Sequence, residues 1–249
     1  MIKRQNHKLK LLIIFLIIFI SVSISAFCES SREKLNLADS LFKQKKYMQS
    51  FELYEDILHS DQKATSVMLL KMAFIKEGLG DFTNALYYLD LYYLKTYNKK
   101  VLKKMENLAD QNKLSGYNYD DVAFFLNMYH QYQVQVDLCI IGLVLVIFGM
   151  LFYQKKLNKS VSRFPAIVYL SLLVFLLIIN NFGREHTKAI ITAPMAYLMK
   201  GPSPGADLID VVTKGHRVDI LGQDDIWVKI SWNNQTAYIK SNNLMAVKL

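Results

Sequence analysis

The side chains able to do chemistry are few and far apart. The five histidines, His7, His59, His130, His186 and His216, are spread along the chain, and no two sit at the spacing that brings ligands to one metal. The two cysteines, Cys28 and Cys139, each border an apolar stretch and cannot build a disulfide framework. No Gly-rich loop follows a strand-like run to cradle a phosphate. Glu52, Glu55 and Asp56 lie close together on one helical stretch, where a solvated face accounts for them. No nucleophile, base and orienting group come together, so neither an enzyme nor a cofactor is expected. What remains is binding chemistry. Trp227 and Tyr238 offer an aromatic surface in the C-terminal part. Arg32, Asn36, Asp39, Lys43, Lys71 and Phe74 offer a mixed polar and aromatic row in the N-terminal part.

Apolar stretches and basic residues organise the elements that must hold these groups. Leu11–Phe27 follows Lys3, Arg4, Lys8 and Lys10 and ends in small residues. Residues 1–28 therefore read as a secretory signal peptide or an uncleaved signal anchor. Cys28 is a poor lipidation site, because bulky Phe27 precedes it. Leu138–Tyr153 and Pro165–Phe182 flank a short loop, residues 154–164, that carries Lys155, Lys156, Lys159 and Arg163. Spans at 137–153 and 165–182 form an antiparallel hairpin in this reading, with Gly142 and Gly149 on one face either as a close-packing surface for the second span or a partner or as incidental residues. The positive-inside rule puts the N-terminus and the loop in the cytoplasm. It puts residues 29–136 and 183–249 outside.

The formal charge of +9 has the same origin. Residues 29–136 are neutral, and the excess sits mainly in the N-terminal ten residues and the loop. No basic stripe remains to follow a phosphate backbone, so nucleic acid is not an expected partner.

Within residues 29–118 a pattern recurs about every 35 residues. Tyr47, Ser50 and Tyr54 match Phe82, Ala85 and Leu89, and Ala38 upstream matches Ala73. Gly80-Asp81 supplies a turn. The pattern resembles the tetratricopeptide repeat, two helices per unit near 34 residues. Two units cover Ser31–Lys99, and a decayed third with Leu102, Met105 and Leu108 would serve as a cap. The resemblance implies a protein-binding groove lined by Arg32, Asn36, Asp39, Lys43, Lys71 and Phe74. The tyrosines at 87, 88, 92, 93 and 97 read as packing between helices. A stiff helix over 119–136, capped by Asp120 or Asp121, links this region to the first span.

After Phe182 the pattern alternates. Strands are expected at 189–192, 196–199, 208–213, 217–221, 227–232 and 236–239, with turns at 201–205, 214–215, 223–225 and 233–234. Six short strands suggest a small barrel over 188–249. Pro202-Ser203, the Gly215-centred hairpin Lys214–Val218 and the strand Trp227-Val228-Lys229-Ile230 resemble the bacterial SH3-like domain, although Ala237-Tyr238-Ile239 stands in place of its Gly-Trp-Ile. The resemblance implies a surface around Trp227 and Tyr238 for cell-wall peptides or proteins. The alternative is that Trp227 packs the barrel core.

The expected fold is thus a multidomain membrane protein: an α-helical tetratricopeptide-repeat solenoid, a two-helix transmembrane hairpin and a small all-β SH3-like barrel. This order resembles the BatE-type proteins of bacterial Bat (Bacteroides aerotolerance) operons. The resemblance implies a scaffold that works with other membrane-bound or periplasmic Bat-type proteins in stress or oxygen tolerance. An envelope sensor anchored to peptidoglycan through the SH3-like domain is the alternative.

Overall fold

The computed structural model describes residues 32–60, 64–118, 124, 129, 132–156, 163–182 and 187–248. The signal sequence at 1–28, Cys28, Asp120 and Asp121, most of the linking segment and the middle of the basic loop lie outside the described residues. So do His7, His130 and His186.

The N-terminal half is helical. Residues 32–43 form α1, followed by α2 (Tyr47–Ser60), α3 (Ser66–Gly78), α4 (Phe82–Thr96) and α5 (Lys99–Gln111). Side chains start three of them. Thr65 Oγ1 accepts from Met68 N–H at 3.2 Å, Asp81 Oδ1 from Asn84 N–H at 3.4 Å and Asn98 Oδ1 from Lys100 N–H at 3.0 Å, satisfying amides that have no partner within the helix. The small residues of the recurring pattern, Ala38, Ser50, Ala73 and Ala85, are all buried. Ser50 Oγ donates to Ala38 O at 2.8 Å, a close approach of α1 and α2 that a larger side chain would block.

Three of these helices end alike. Lys46 N–H donates to Leu41 O at 3.0 Å, Asp81 N–H to Lys76 O at 2.9 Å and Leu114 N–H to Ala109 O at 2.9 Å. Each bond closes a Schellman turn through one left-handed residue, at Lys45 (φ +62°), Gly80 (φ +73°) and Lys113 (φ +55°). Only Gly80 holds that conformation without a Cβ penalty. Lys45→Gly is therefore expected to stabilise the helical region by about 0.5–1 kcal/mol, and Gly80→Ala to destabilise it by about as much. A Cβ at Gly80 would meet nothing within 4 Å, so that loss is purely conformational. Urea titrations followed by helical circular dichroism check both signs.

The chain divides into two compact units between Tyr92 and Tyr93. The division falls inside α4. In the first unit Phe51, Tyr54, Ile57, Met68, Leu69, Met72, Leu86 and Tyr88 are buried, and the Tyr88 ring meets Phe51 edge-on at 5.8 Å. Tyr93 is also buried and packs on Tyr97 within the second unit, at 5.5 Å. The tyrosine-rich stretch is thus used for packing.

The second unit contains α5, two apolar helices and a sheet. The helix α6 (Gln133–Lys156) is long and apolar enough to cross a membrane, and α7 (Arg163–Phe182) carries a shorter apolar stretch, Phe164–Ile178. Gln133 Nε2 donates to Asn180 Oδ1 at 2.9 Å and the Phe148 ring lies 6.2 Å from Tyr169, so the two helices run side by side in opposite directions. A Cβ added at Gly142 or Gly149 would meet nothing within 4 Å, so this face is not where α7 packs.

The sheet has seven strands, one more than the sequence indicated. They are β1 (Lys188–Ile191), β2 (Ala196–Met199), β3 (Leu208–Val212), β4 (Arg217–Asp224), β5 (Trp227–Trp232), β6 (Gln235–Lys240) and β7 (Leu244–Ala246). A 3-10 turn, Ser241–Asn243, leads into β7. The order is β3-β2-β6-β5-β4-β1-β7, with every pairing antiparallel. Ala189, Ile191, Leu198, Val228, Ile230, Trp232, Ala237 and Ile239 form the core, drawn from alternate positions of their strands.

The Gly215-centred hairpin expected from the sequence is absent, because β3 and β4 do not pair. The turn between them is a corner that pairs with β1 instead: Gly215 N–H donates to Ile191 O at 2.7 Å and Ile191 N–H to His216 O at 2.9 Å. The segment that follows α5 also reaches this corner. Arg217 N–H donates to Ser115 O at 3.0 Å, a contact between residues about a hundred apart in sequence.

Candidate functional site

On the helical side, Arg32, Asn36, Asp39 and Lys43 recur every three or four residues on α1, while Lys71 and Phe74 lie on α3. The fold draws half of this row together. Asp39 Oδ1 accepts from Lys71 Nζ at 2.8 Å and from Tyr54 O–H at 2.6 Å. Lys71 Nζ also lies 5.4 Å from the centre of the Phe42 ring, which packs edge-on against Phe74 at 5.9 Å. Burial would push the Asp39 carboxyl up. The bonds from Lys71 and Tyr54, with the charges of Lys71 and Lys43, outweigh it and hold Asp39 below the usual carboxylate value. Burial, then the bond to Asp39, pushes the Tyr54 hydroxyl well up.

Asp39 and Lys71 are therefore joined across two helices. Arg32, Asn36, Lys43 and Phe74 remain exposed. The residues that the sequence reading missed are apolar: Val67 and Leu70 are exposed on α3 at the helical spacing that continues to Phe74. Their i, i+3, i+7 pattern is visible in the sequence. It was passed over because apolar periodicity is ordinarily assigned to the core.

On the sheet, parity decides which tryptophan is core. Trp227 and Trp232 are five residues apart on β5 and so face opposite ways. Trp232 points inward with Val228 and Ile230, and its Nε1–H donates to Asp210 Oδ2 at 2.9 Å. Trp227 lies on the other face with Lys229, Tyr238 and Lys240, since Trp227 pairs with Lys240 and Lys229 with Tyr238. Trp227 is nonetheless only 7% exposed, and Lys240 Nζ lies 5.9 Å from the centre of its ring. It forms the floor of a groove rather than an exposed platform. Tyr238 is half-buried beside it and does not line the groove.

The groove holds about 560 Å³. Met195, Tyr197, Met199, Leu208, Pro204 and Trp227 give it apolar and aromatic walls, and Lys240, Asn242 and Asn243 add a cation and two amides. Tyr197 is 55% exposed on the rim, because Ala196 and Leu198 take the inward positions of β2. Apolar walls with a few convergent polar groups suit a ligand that is itself an extended chain with alternating apolar and polar parts. No group of three or more His, Cys, Asp or Glu side chains placed to hold a metal occurs among the described residues.

The bacterial SH3 domain family matches residues 196–245, from β2 to the start of β7. This segment is the antiparallel sheet that carries the groove, and β1 lies outside the match although it pairs with both β4 and β7. No curated protein matches the chain.

Proposed function

We propose that this chain is a membrane-anchored, non-enzymatic scaffold whose helical region and SH3-type groove each hold a partner protein. The groove beside Tyr197 and Trp227 carries the reading, because it is concave, largely apolar and sits in a sheet that matches a family of binding modules. The tetratricopeptide-repeat reading of the helices is supported by the Schellman turns at Lys45, Gly80 and Lys113 and by the buried small residues Ala38, Ser50, Ala73 and Ala85. A transmembrane hairpin is supported by the length and apolar character of α6 and by the antiparallel course of α7. Lys155 and Lys156 at its end favour a cytoplasmic loop, with both globular parts on the periplasmic face of a bacterial inner membrane. On this reading the partners are membrane or periplasmic proteins, as in a Bat-type aerotolerance complex.

Purification of the tagged full chain in mild detergent, with mass spectrometry of co-eluting proteins, tests the scaffold. A stoichiometric membrane protein is expected, and a chain that elutes alone would reject it. Tyr197→Ala removes an exposed ring without touching the core and is expected to weaken capture about tenfold, the scale of a contact worth about 1.4 kcal/mol. Unchanged capture would place the partner elsewhere.

The amides of Asn242 and Asn243 beside an aromatic wall favour a second reading, a peptidoglycan anchor that makes the chain an envelope sensor. Sedimentation with isolated cell wall, weakened by Tyr197→Ala, is its expected result.

A further inference from the structure

The corner between β3 and β4 is covered by a segment of the same chain. The backbone groups of His216, just before β4, and of Ile220 on β4 point towards β1: Ile191 N–H donates to His216 O and Ile220 N–H to Thr187 O. Arg217, between them in phase, points the other way, where β5 pairing reaches only to Asp219 opposite Ser231. Ser115 fills the open slot and accepts the Arg217 N–H at 3.0 Å. Three further bonds join it. Tyr117 O–H donates to Gly215 O at 2.8 Å, Arg217 Nε–H to Gly116 O at 2.8 Å and Ser115 N–H to His216 Nδ1 at 3.0 Å. The Arg217 guanidinium carbon lies 4.7 Å from the centre of the Tyr117 ring, and Tyr117 and Arg217 are both buried.

We propose that Ser115–Tyr117 is a clip that docks on the His216–Arg217 corner of the sheet and is loosened when His216 is protonated. One of the four bonds depends on pH. His216 Nδ1 accepts from a backbone amide, so it must carry a lone pair, with the ring proton on Nε2. Protonation places an N–H opposite the Ser115 N–H, which breaks the bond and adds a cation beside Arg217.

The surrounding groups oppose each other. Burial pushes His216 below its ordinary value, and the Asp210 carboxylate on β3 pulls it back up. Asp210 is engaged by Trp232 Nε1–H, and the uncharged Trp232 ring meets His216 edge-on at 5.4 Å. Asp219 shares a cleft of about 240 Å³ with Ser115, Gly116 and Arg217, and Lys214 is exposed on the turn. Tyr117 gives its proton to Gly215 and adds no charge. Burial prevails.

Because docking favours neutral His216, the clip has its full strength above the ordinary histidine value of about 6.5. It weakens as pH falls through that value and levels off once the docked imidazole is itself protonated. The Arg217 contacts do not titrate and set the strength that remains.

Hydrogen exchange of the full chain in detergent micelles tests this. Between about pH 7.5 and about pH 5.5, after correction for intrinsic rates, protection of Ser115–Tyr117 is expected to fall several-fold, while barrel amides such as Val218 and Ile230 stay protected. His216→Asn replaces the ring acceptor with an amide oxygen that does not titrate, and should hold the clip at both values. His216→Ala should loosen it at both. Constant wild-type protection across the range, or an Asn variant that titrates like the wild type, would overturn the proposal.

Discussion

Gly116→Ala is expected to detach Ser115–Tyr117 from the barrel at every pH while leaving the sheet folded. Gly116 has φ +93°, where an L side chain is strained, and an added Cβ would stand 2.0 Å from Arg217 O and 2.8 Å from Arg217 C. Both obstacles are backbone atoms of β4, held by the pairing of Arg217 with Ile190, so they cannot move aside as a side-chain tip can. The only relief is for the segment to leave. Its departure forfeits about 0.5–1.5 kcal/mol for each neutral hydrogen bond and more for the bond from Arg217. It also strands a buried guanidinium that must turn to solvent. The expected loss of docking is therefore at least a hundredfold, about 3 kcal/mol or more. It should appear as unprotected amides at Ser115–Tyr117 and as new proteolytic cleavage between α5 and α6. A variant that keeps wild-type protection there would show that the segment does not dock as described.

The contrast with the rest of the chain shows what a sequence can disclose. The Schellman turn at Gly80, the small positions at Ala38 and Ala73 and the alternation along β5 were legible, because each is a local pattern set by backbone geometry within one or two turns. Lys45 and Lys113 adopt the same left-handed turn without glycine, so composition hid what the recurring spacing implied. The sequence leaves Trp227 open between core and platform, and parity adds what it lacked: with Val228, Ile230 and Trp232 inward, Trp227 faces the other side of β5 while staying buried. The clip was not legible at all. Arg217 and Gly116 carry no mark in the sequence that joins them, since their contact links residues about a hundred apart. Nothing local marks that pairing, because its energy lies in groups about a hundred residues apart in sequence.

Ile230→Ala is expected to destabilise the sheet severely. Ile230 is fully buried in one cluster with Ala189, Ile191, Leu198, Val228, Trp232 and Ile239, so its loss leaves a cavity inside the core. Removing such a side chain costs about 2–5 kcal/mol. A sheet of roughly 60 residues buries a small core, and a few kcal/mol is all the stability it can be expected to hold. The substitution therefore removes most of that margin and should lower the barrel's melting temperature by at least about 10 °C. The chain has two tryptophans, Trp227 and Trp232, and both lie on β5, so their fluorescence reports on the barrel alone. The expected result is an early fluorescence transition with the helical circular dichroism retained, and an unshifted one would mean that Ile230 is not at the centre of the core. Set beside Tyr197→Ala, this variant separates fold from function. The groove is built on β2 and β5, so losing Ile230 should weaken binding along with a lowered melt, whereas losing Tyr197 should weaken binding with no shift in the melt. If both variants shifted the melt equally, Tyr197 would be a structural residue and the groove would lose its best-exposed contact.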